Sequence, residues 1–238
     1  MSHKKNTQSK AQQKTYYELL SLMLLKRKFP DIYSDLEYVG GNHTPDLETP
    51  NHSIGVEVTC AFKKEHMERQ AFFDEYAGKK YSAIPTKVHE RLYKCGKVFG
   101  NNNETASMLI DNGFYDSRLN NDEQENLVKE CISKKIEKLN SNISYSKNDS
   151  QELFIFLQEN LPFKVIEKIY KFVCHLQLEK SGFNKIYISS KDYSSFYRLY
   201  ELNPRALDSM LRGPCEHDTT DIIASCRKLV IERLNKNG

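Results

Sequence analysis

Hydrophobic positions recur along this chain with two different periods. "KTYYELLSLMLLKRKF", about residues 14 to 29, is dense in good helix formers and is closed by Pro30, so it predicts a mostly buried helix. Short apolar stretches separated by turn residues follow. "DLEYVGG", broken by Gly40 and Gly41, then "PDLET" and "SIGVEVTCA", with "TPNHS" as a connecting turn, predict a three-strand meander. Residues 62 to 97 read as helical with interruptions near Gly78 and Pro85, "FGNNNETAS" as a polar loop, and "ASMLID" as another short strand. The segment 122 to 140 opens with acids and ends with lysines, which complements a helix macrodipole at both ends. "ELFIFLQ" predicts a compact strand, and "FKVIEKIYKFVCHLQLEKSG" a helix that stops at Gly182. "KIYIS" and "SFYRLY" complete the strand signals, and a last helix is expected at about 219 to 235.

The order helix, three strands, helical insertion, helix, strand, helix, strand is an α/β pattern. One domain over residues 1–238 is the expected organisation, with a mostly helical insertion at 62–121 and a helical C-terminal extension at 203–238. No glycine-rich phosphate loop follows a strand and no GxxxxGK[ST] occurs, which excludes Rossmann and P-loop readings. At 39% apolar and 28% charged residues, the chain has the composition of a globular protein. No apolar run approaches the ~18 residues of a membrane span, and "MSHKKNTQSKAQQK" lacks the apolar segment of a signal peptide, so no membrane partner and a cytoplasmic location are expected. The six cysteines are nowhere spaced as a zinc knuckle or a redox pair and read as reduced thiols.

Chemistry enters through one acid in an apolar strand. Strand side chains alternate, so Ile54, Val56, Val58 and Cys60 take one face while Glu57 and Thr59 share the other with Gly55. A hairpin with the preceding strand brings Asp46 and Glu57 side by side. Two carboxylates that close repel unless a cation sits between them, and hard oxygen ligands suit Mg²⁺ or Mn²⁺. The net charge of +3 permits a nucleic-acid partner without demanding one. Between 61 and 100, however, nine Lys or Arg face five acids, and Phe72, Phe73, Tyr76, Tyr81 and Tyr93 are interleaved, a mixture that suits phosphates and bases. Lys63, Lys64, Lys79 and Lys80 are its candidate contacts.

Pro45, Asp46 and Glu57-Val58-Thr59, preceded by a helix carrying Glu18 and followed by helix then strand, resemble the PD-(D/E)XK nuclease superfamily over roughly residues 14 to 192. The resemblance implies a restriction-endonuclease-like core of helix, three-strand meander, helix and strand. It also implies that Asp46 and Glu57 bind the divalent metal and that Glu18 is the accessory acid. Thr59 departs from the pattern, because it stands where the family's lysine is usual and supplies no cation. The resemblance to divergent members with an EVT strand implies a substitute from the following helix, where family members can relocate the lysine. There Lys135 interrupts the apolar stripe of Val128, Cys131, Ile132, Ile136 and Leu139, with Lys134 and Lys138 as alternatives.

The expected activity is therefore metal-dependent phosphodiester hydrolysis, with DNA the favoured substrate, RNA the alternative, and the interrupted insertion a clamp or a homodimer contact. A second expectation, carried by the missing lysine at 59, is a nuclease-like scaffold without turnover that binds nucleic acid or another protein.

Overall fold

A computed structural model describes residues 3–40, 45–64, 67, 83–87, 97–99, 107–109, 119–141, 148–179, 182–190 and 196–201. The chain forms two compact units, one of residues 1–13 with 62–119, the other of residues 14–61 with 120–238. In the smaller unit, β4 (Lys97–Phe99) and β5 (Ser107–Leu109) pair as an antiparallel ribbon. Most of the expected helical insertion lies outside the described residues, as do residues 203–238 with their expected helix.

The larger unit is α/β. Helix α1 (His3–Lys28), which belongs to this unit from Lys14 on, begins well before residue 14, and α2 (Pro30–Tyr33) follows at once. Pro30 therefore does more than close the first helix. It opens the second at a position where its missing N–H and preset φ are tolerated. Strands β1 (Glu37–Tyr38), β2 (Leu47–Glu48) and β3 (Ile54–Ala61) form the expected antiparallel meander, with β1 and β2 trimmed to two residues each. Helix α3 (Asn121–Ser141), strand β6 (Ser150–Leu157), helix α4 (Phe163–Glu179), strand β7 (Lys185–Ser190) and strand β8 (Phe196–Glu201) complete the unit. The sheet order is β1-β2-β3-β6-β7-β8, with β3, β6 and β7 parallel and β8 antiparallel at the edge.

Pairing register assigns the two faces. Glu57 pairs with Leu153, Thr59 with Ile155 and Ala61 with Leu157, and this face continues into Ile186 and Ile188. Helices α3 and α4 cover it with Val128, Ile132, Ile136, Val165, Ile166, Ile169 and Val173, all buried. The opposite face carries Phe154, Phe156 and Tyr187, packed with Tyr17 of α1, Phe29 and Phe196 at ring separations of 4.9 to 6.3 Å. Helices on both faces explain why the central parallel strands are apolar throughout instead of alternating.

Two polar devices set α3 in place. Asn120 Oδ1 accepts the Glu123 N–H at 2.9 Å while Glu123 Oε2 accepts the Asn120 N–H at 3.0 Å, a reciprocal cap at the helix start. Gln124, fully buried, donates to the Ala61 carbonyl at 2.9 Å and accepts from the Glu159 N–H at 3.2 Å. Its amide ties the helix to the ends of β3 and β6, which fixes the angle at which the later turns of α3 cross β3. Among the described residues no helix is long and apolar enough to cross a membrane.

Candidate functional site

The acid in β3 is buried: Glu57 is only 2% exposed. A carboxylate there is costly to desolvate unless cations and donors compensate it. Two lysines of α3 do so. Lys135 Nζ makes a short contact with Glu57 Oε1, and Lys138 Nζ lies 3.1 Å from the same oxygen. Lys135 and Lys138 sit one turn apart on the helix face that meets β3, so both reach a single acid. Lys134 points elsewhere and pairs with Glu130 on the exposed side of the helix.

Asp46 immediately precedes β2. Continuing the Leu47 to Val56 register by one residue sets Asp46 opposite Glu57, as the hairpin argument requires. Its carboxylate also has two partners of its own. Asp46 Oδ2 accepts the Val58 N–H at 2.8 Å, taking the place of a ladder partner just before β2 begins, and Oδ1 is 3.0 Å from Lys14 Nζ. The same ammonium is 3.1 Å from Glu18 Oε1, one helical turn further along α1. Asp46 and Glu18, each 3% exposed, thus meet over one lysine.

Electrostatics follow from this crowding. Burial, and then the neighbouring Asp46 charge, push the Glu18 carboxyl up to about 7, against the opposing pull of Lys14. Burial alone would depress the Lys14 ammonium, but Asp46 and Glu18 outweigh it and hold that group above the ordinary lysine range. Three buried carboxylates and three ammonium groups balance locally. Among the described residues no three His, Cys, Asp or Glu side chains converge as a ready ligand set.

The donor chemistry nevertheless suits a hard divalent cation, since every acceptor is a carboxylate oxygen. Lys14, with a side chain 55% exposed, is the most exposed of the three lysines, so of the two proposed metal ligands Asp46 is the one whose cation is held nearest to solvent. Lys135, at 20%, is held against the sheet.

Glycine 55 shapes the approach. A Cβ there would lie 2.4 Å from Asn148 Oδ1 and 2.7 Å from Pro45 Cγ, so the absence of a side chain lets Pro45, and with it Asp46, settle against β3. Sequence reading singled out Asp46, Glu57, Glu18 and Lys135 but passed over Lys14 and the close approach at Gly55. The Lys14 to Glu18 spacing of four on a helix was the available signal for the first. Of the candidate nucleic-acid contacts, Lys63 and Lys64 belong to the smaller unit, Lys64 exposed and Lys63 half-buried, while Lys79 and Lys80 lie outside the described residues. No family model matches the chain, and no curated protein or solved structure matches it.

Proposed function

We propose that this protein is a divalent-metal-dependent nuclease of the PD-(D/E)XK type, with a restriction-endonuclease-like core, that hydrolyses phosphodiester bonds in DNA. The observation that carries the reading is the meeting of Glu57 with Lys135 across 78 positions of sequence, next to an Asp46 set opposite Glu57 by strand register. A strand that carries Thr59 where a lysine is usual thereby regains a cation beside its acid, delivered by the following helix.

Asp46 and Glu57 would hold Mg²⁺ or Mn²⁺, which polarises the phosphodiester and acidifies water when bound. Lys135, fixed by packing and by Glu57, stands ready to stabilise negative charge developing on the phosphoryl oxygens, with Lys138 as its partner. Glu18, with a carboxyl poised near neutrality, can hold or release a proton beside Asp46. The Val58 N–H keeps the Asp46 carboxylate in one orientation. Burial of all three acids excludes bulk water and strengthens each of these interactions.

One observation favours a second reading, a scaffold that binds nucleic acid or protein without turnover. Each carboxylate already has an ammonium partner, so the site is neutral without any metal.

Cleavage of supercoiled and single-stranded DNA, and of single-stranded RNA, with Mg²⁺ or Mn²⁺ separates the two. The nuclease reading expects nicking that chelator abolishes and that Asp46→Asn and Glu57→Gln remove. Absence of cleavage on every substrate and with either metal would sink it. Sedimentation of the same preparation tests the homodimer expected from the insertion.

A further inference from the structure

The turn joining β2 to β3 holds a second acid–base pair on the face that carries Glu57. Glu48 is opposite Gly55 in the antiparallel register, two residues from Asp46 along the chain, and its side chain is 13% exposed. One of its oxygens, Oε1, takes two donors: Asn148 Nδ2 at 2.6 Å and His52 Nδ1 at 2.9 Å. The imidazole itself is 64% exposed. With Nδ1 committed to a carboxylate, the contact orients the ring and leaves Nε2 as the nitrogen for a further partner.

The backbone beneath this ring is held in an unfavourable conformation. His52 has φ of 57°, the only positive φ of a non-glycine among the described residues. Asn51, a residue type that tolerates that region better, stands one position earlier and is used instead to accept bonds from the Ser53 N–H and hydroxyl. The His52 N–H is bonded to the Thr49 carbonyl at 2.9 Å, and its carbonyl accepts the Asp149 N–H at 3.3 Å, so the turn is fastened on both sides. A strained residue whose surroundings over-determine it, with an exposed and oriented imidazole, is the arrangement expected of a ligand contact.

We infer that His52, oriented by Glu48, binds a phosphate of the nucleic-acid strand adjacent to the one presented to Asp46 and Glu57. This rests on the proposed function. An imidazolium has a donor on each nitrogen, so Nδ1–H serves Glu48 while Nε2–H serves a phosphate oxygen. Glu48 lies two residues along the same strand face from the Asp46 position, a spacing of about 7 Å. A phosphate next to the reacting one contributes position and affinity and carries no sequence information.

The test uses the full chain with a short fluorescein-labelled single-stranded DNA at pH 6.0, with Ca²⁺ replacing Mg²⁺, over a series of salt concentrations. Cleavage by the unaltered protein in Mg²⁺ is measured in parallel. His52→Asn suits the turn, because asparagine accepts a positive φ. The expected result is a thermal midpoint equal to or above that of the unaltered protein, with affinity several-fold weaker and the slope of log affinity against log salt shallower by about 0.7. Glu48→Gln should fall between the two. If the unaltered protein cleaves but His52→Asn keeps its affinity and slope, the inference is overturned while the nuclease reading stands. If nothing is cleaved but the slope still falls in His52→Asn, the phosphate contact stands and the nuclease reading fails. If the unaltered protein neither cleaves nor binds, both are overturned.

Discussion

Replacing Lys135 with methionine removes a charge and little volume from a buried contact. Glu57 has a side chain 3% exposed and two cations, Lys135 at 20% and Lys138 at 41% exposure. Stripping one partner from a buried ion pair generally costs about 3 to 5 kcal/mol, because the remaining charge is left in a poor solvent. Here Lys138 stays 3.1 Å away and compensates part of that charge. Roughly half the cost, about 2 kcal/mol, is therefore expected. In a chain of 238 residues this lowers the thermal midpoint by about 4 to 8 °C. Adding Glu57→Gln removes the stranded charge, so the double variant should recover much of the loss instead of adding to it. A double-mutant cycle read by urea denaturation should give a coupling energy of about 1 to 3 kcal/mol. If cleavage is observed in the unaltered protein, Lys135→Met should reduce it by about 10² to 10³ for a lost electrostatic stabiliser. Additivity of the two single variants in stability would refute the reasoning, since it would mean that Lys135 and Glu57 do not share a buried site in solution.

Other outcomes follow from neighbouring contacts. Gly55→Ala should destabilise the fold by about 1 to 3 kcal/mol through overpacking against Asn148 and Pro45. It should also depress any activity beyond what that loss explains, since Pro45 carries Asp46; thermal melts and cleavage rates measured together check this. Glu18 has a folded-state value of about 7 against 4.5 for the free group, so the folded chain binds the extra proton between those pH values. Stability in the absence of metal should then fall as pH rises from about 4.5 to 7, by at most about 3 kcal/mol, and level off above. Denaturation across that range should lose this slope in Glu18→Gln, and added Mg²⁺ should raise the melting point above pH 7. Tyr33→Phe removes the hydroxyl that donates to the buried Glu152 at 2.6 Å and touches Tyr187 at 2.6 Å, on the sheet face away from Glu57. It should cost about 1 to 3 kcal/mol in a denaturant melt and leave any cleavage unchanged, so it controls for loss of activity through stability alone.

Much of the larger unit was legible from local pattern. Alternation in "SIGVEVTCA" separated Val56 and Val58 from Glu57 and Thr59, and the pairing with β6 keeps that division. Acids at the start of α3 and the stripe through Val128, Ile132 and Ile136 announced a helix with one buried side. Less legible were the short strands, where β1 and β2 shrink to two residues each because Gly40, at φ 75°, and the Asp46 side chain interrupt the ladder. The two-stranded ribbon of β4 and β5 was half visible in "ASMLID", and its partner strand was hidden at the edge of an asparagine-rich loop. Hairpin proximity placed Asp46 opposite Glu57, in line with the β2–β3 register, but gave no sign of the Lys14 ammonium that Asp46 shares with Glu18.

By itself the sequence determined the period of each element, the face on which Glu57 stands, and the pairing of Asp46 with it through a short turn. These depend on backbone sterics and on contacts a few residues apart. Only the tertiary structure decided that Lys135 and Lys138, rather than Lys134, meet Glu57, that Lys14 bridges Glu18 to Asp46, and that Gly55 admits Pro45. Lys134, Lys135 and Lys138 are alike as side chains. What distinguishes them is the angle at which α3 crosses β3, fixed by the Gln124 anchor and the packing of a core gathered from distant parts of the chain. Helical rotation then turns that angle into a choice of which ammonium is buried beside the acid and which is left to water.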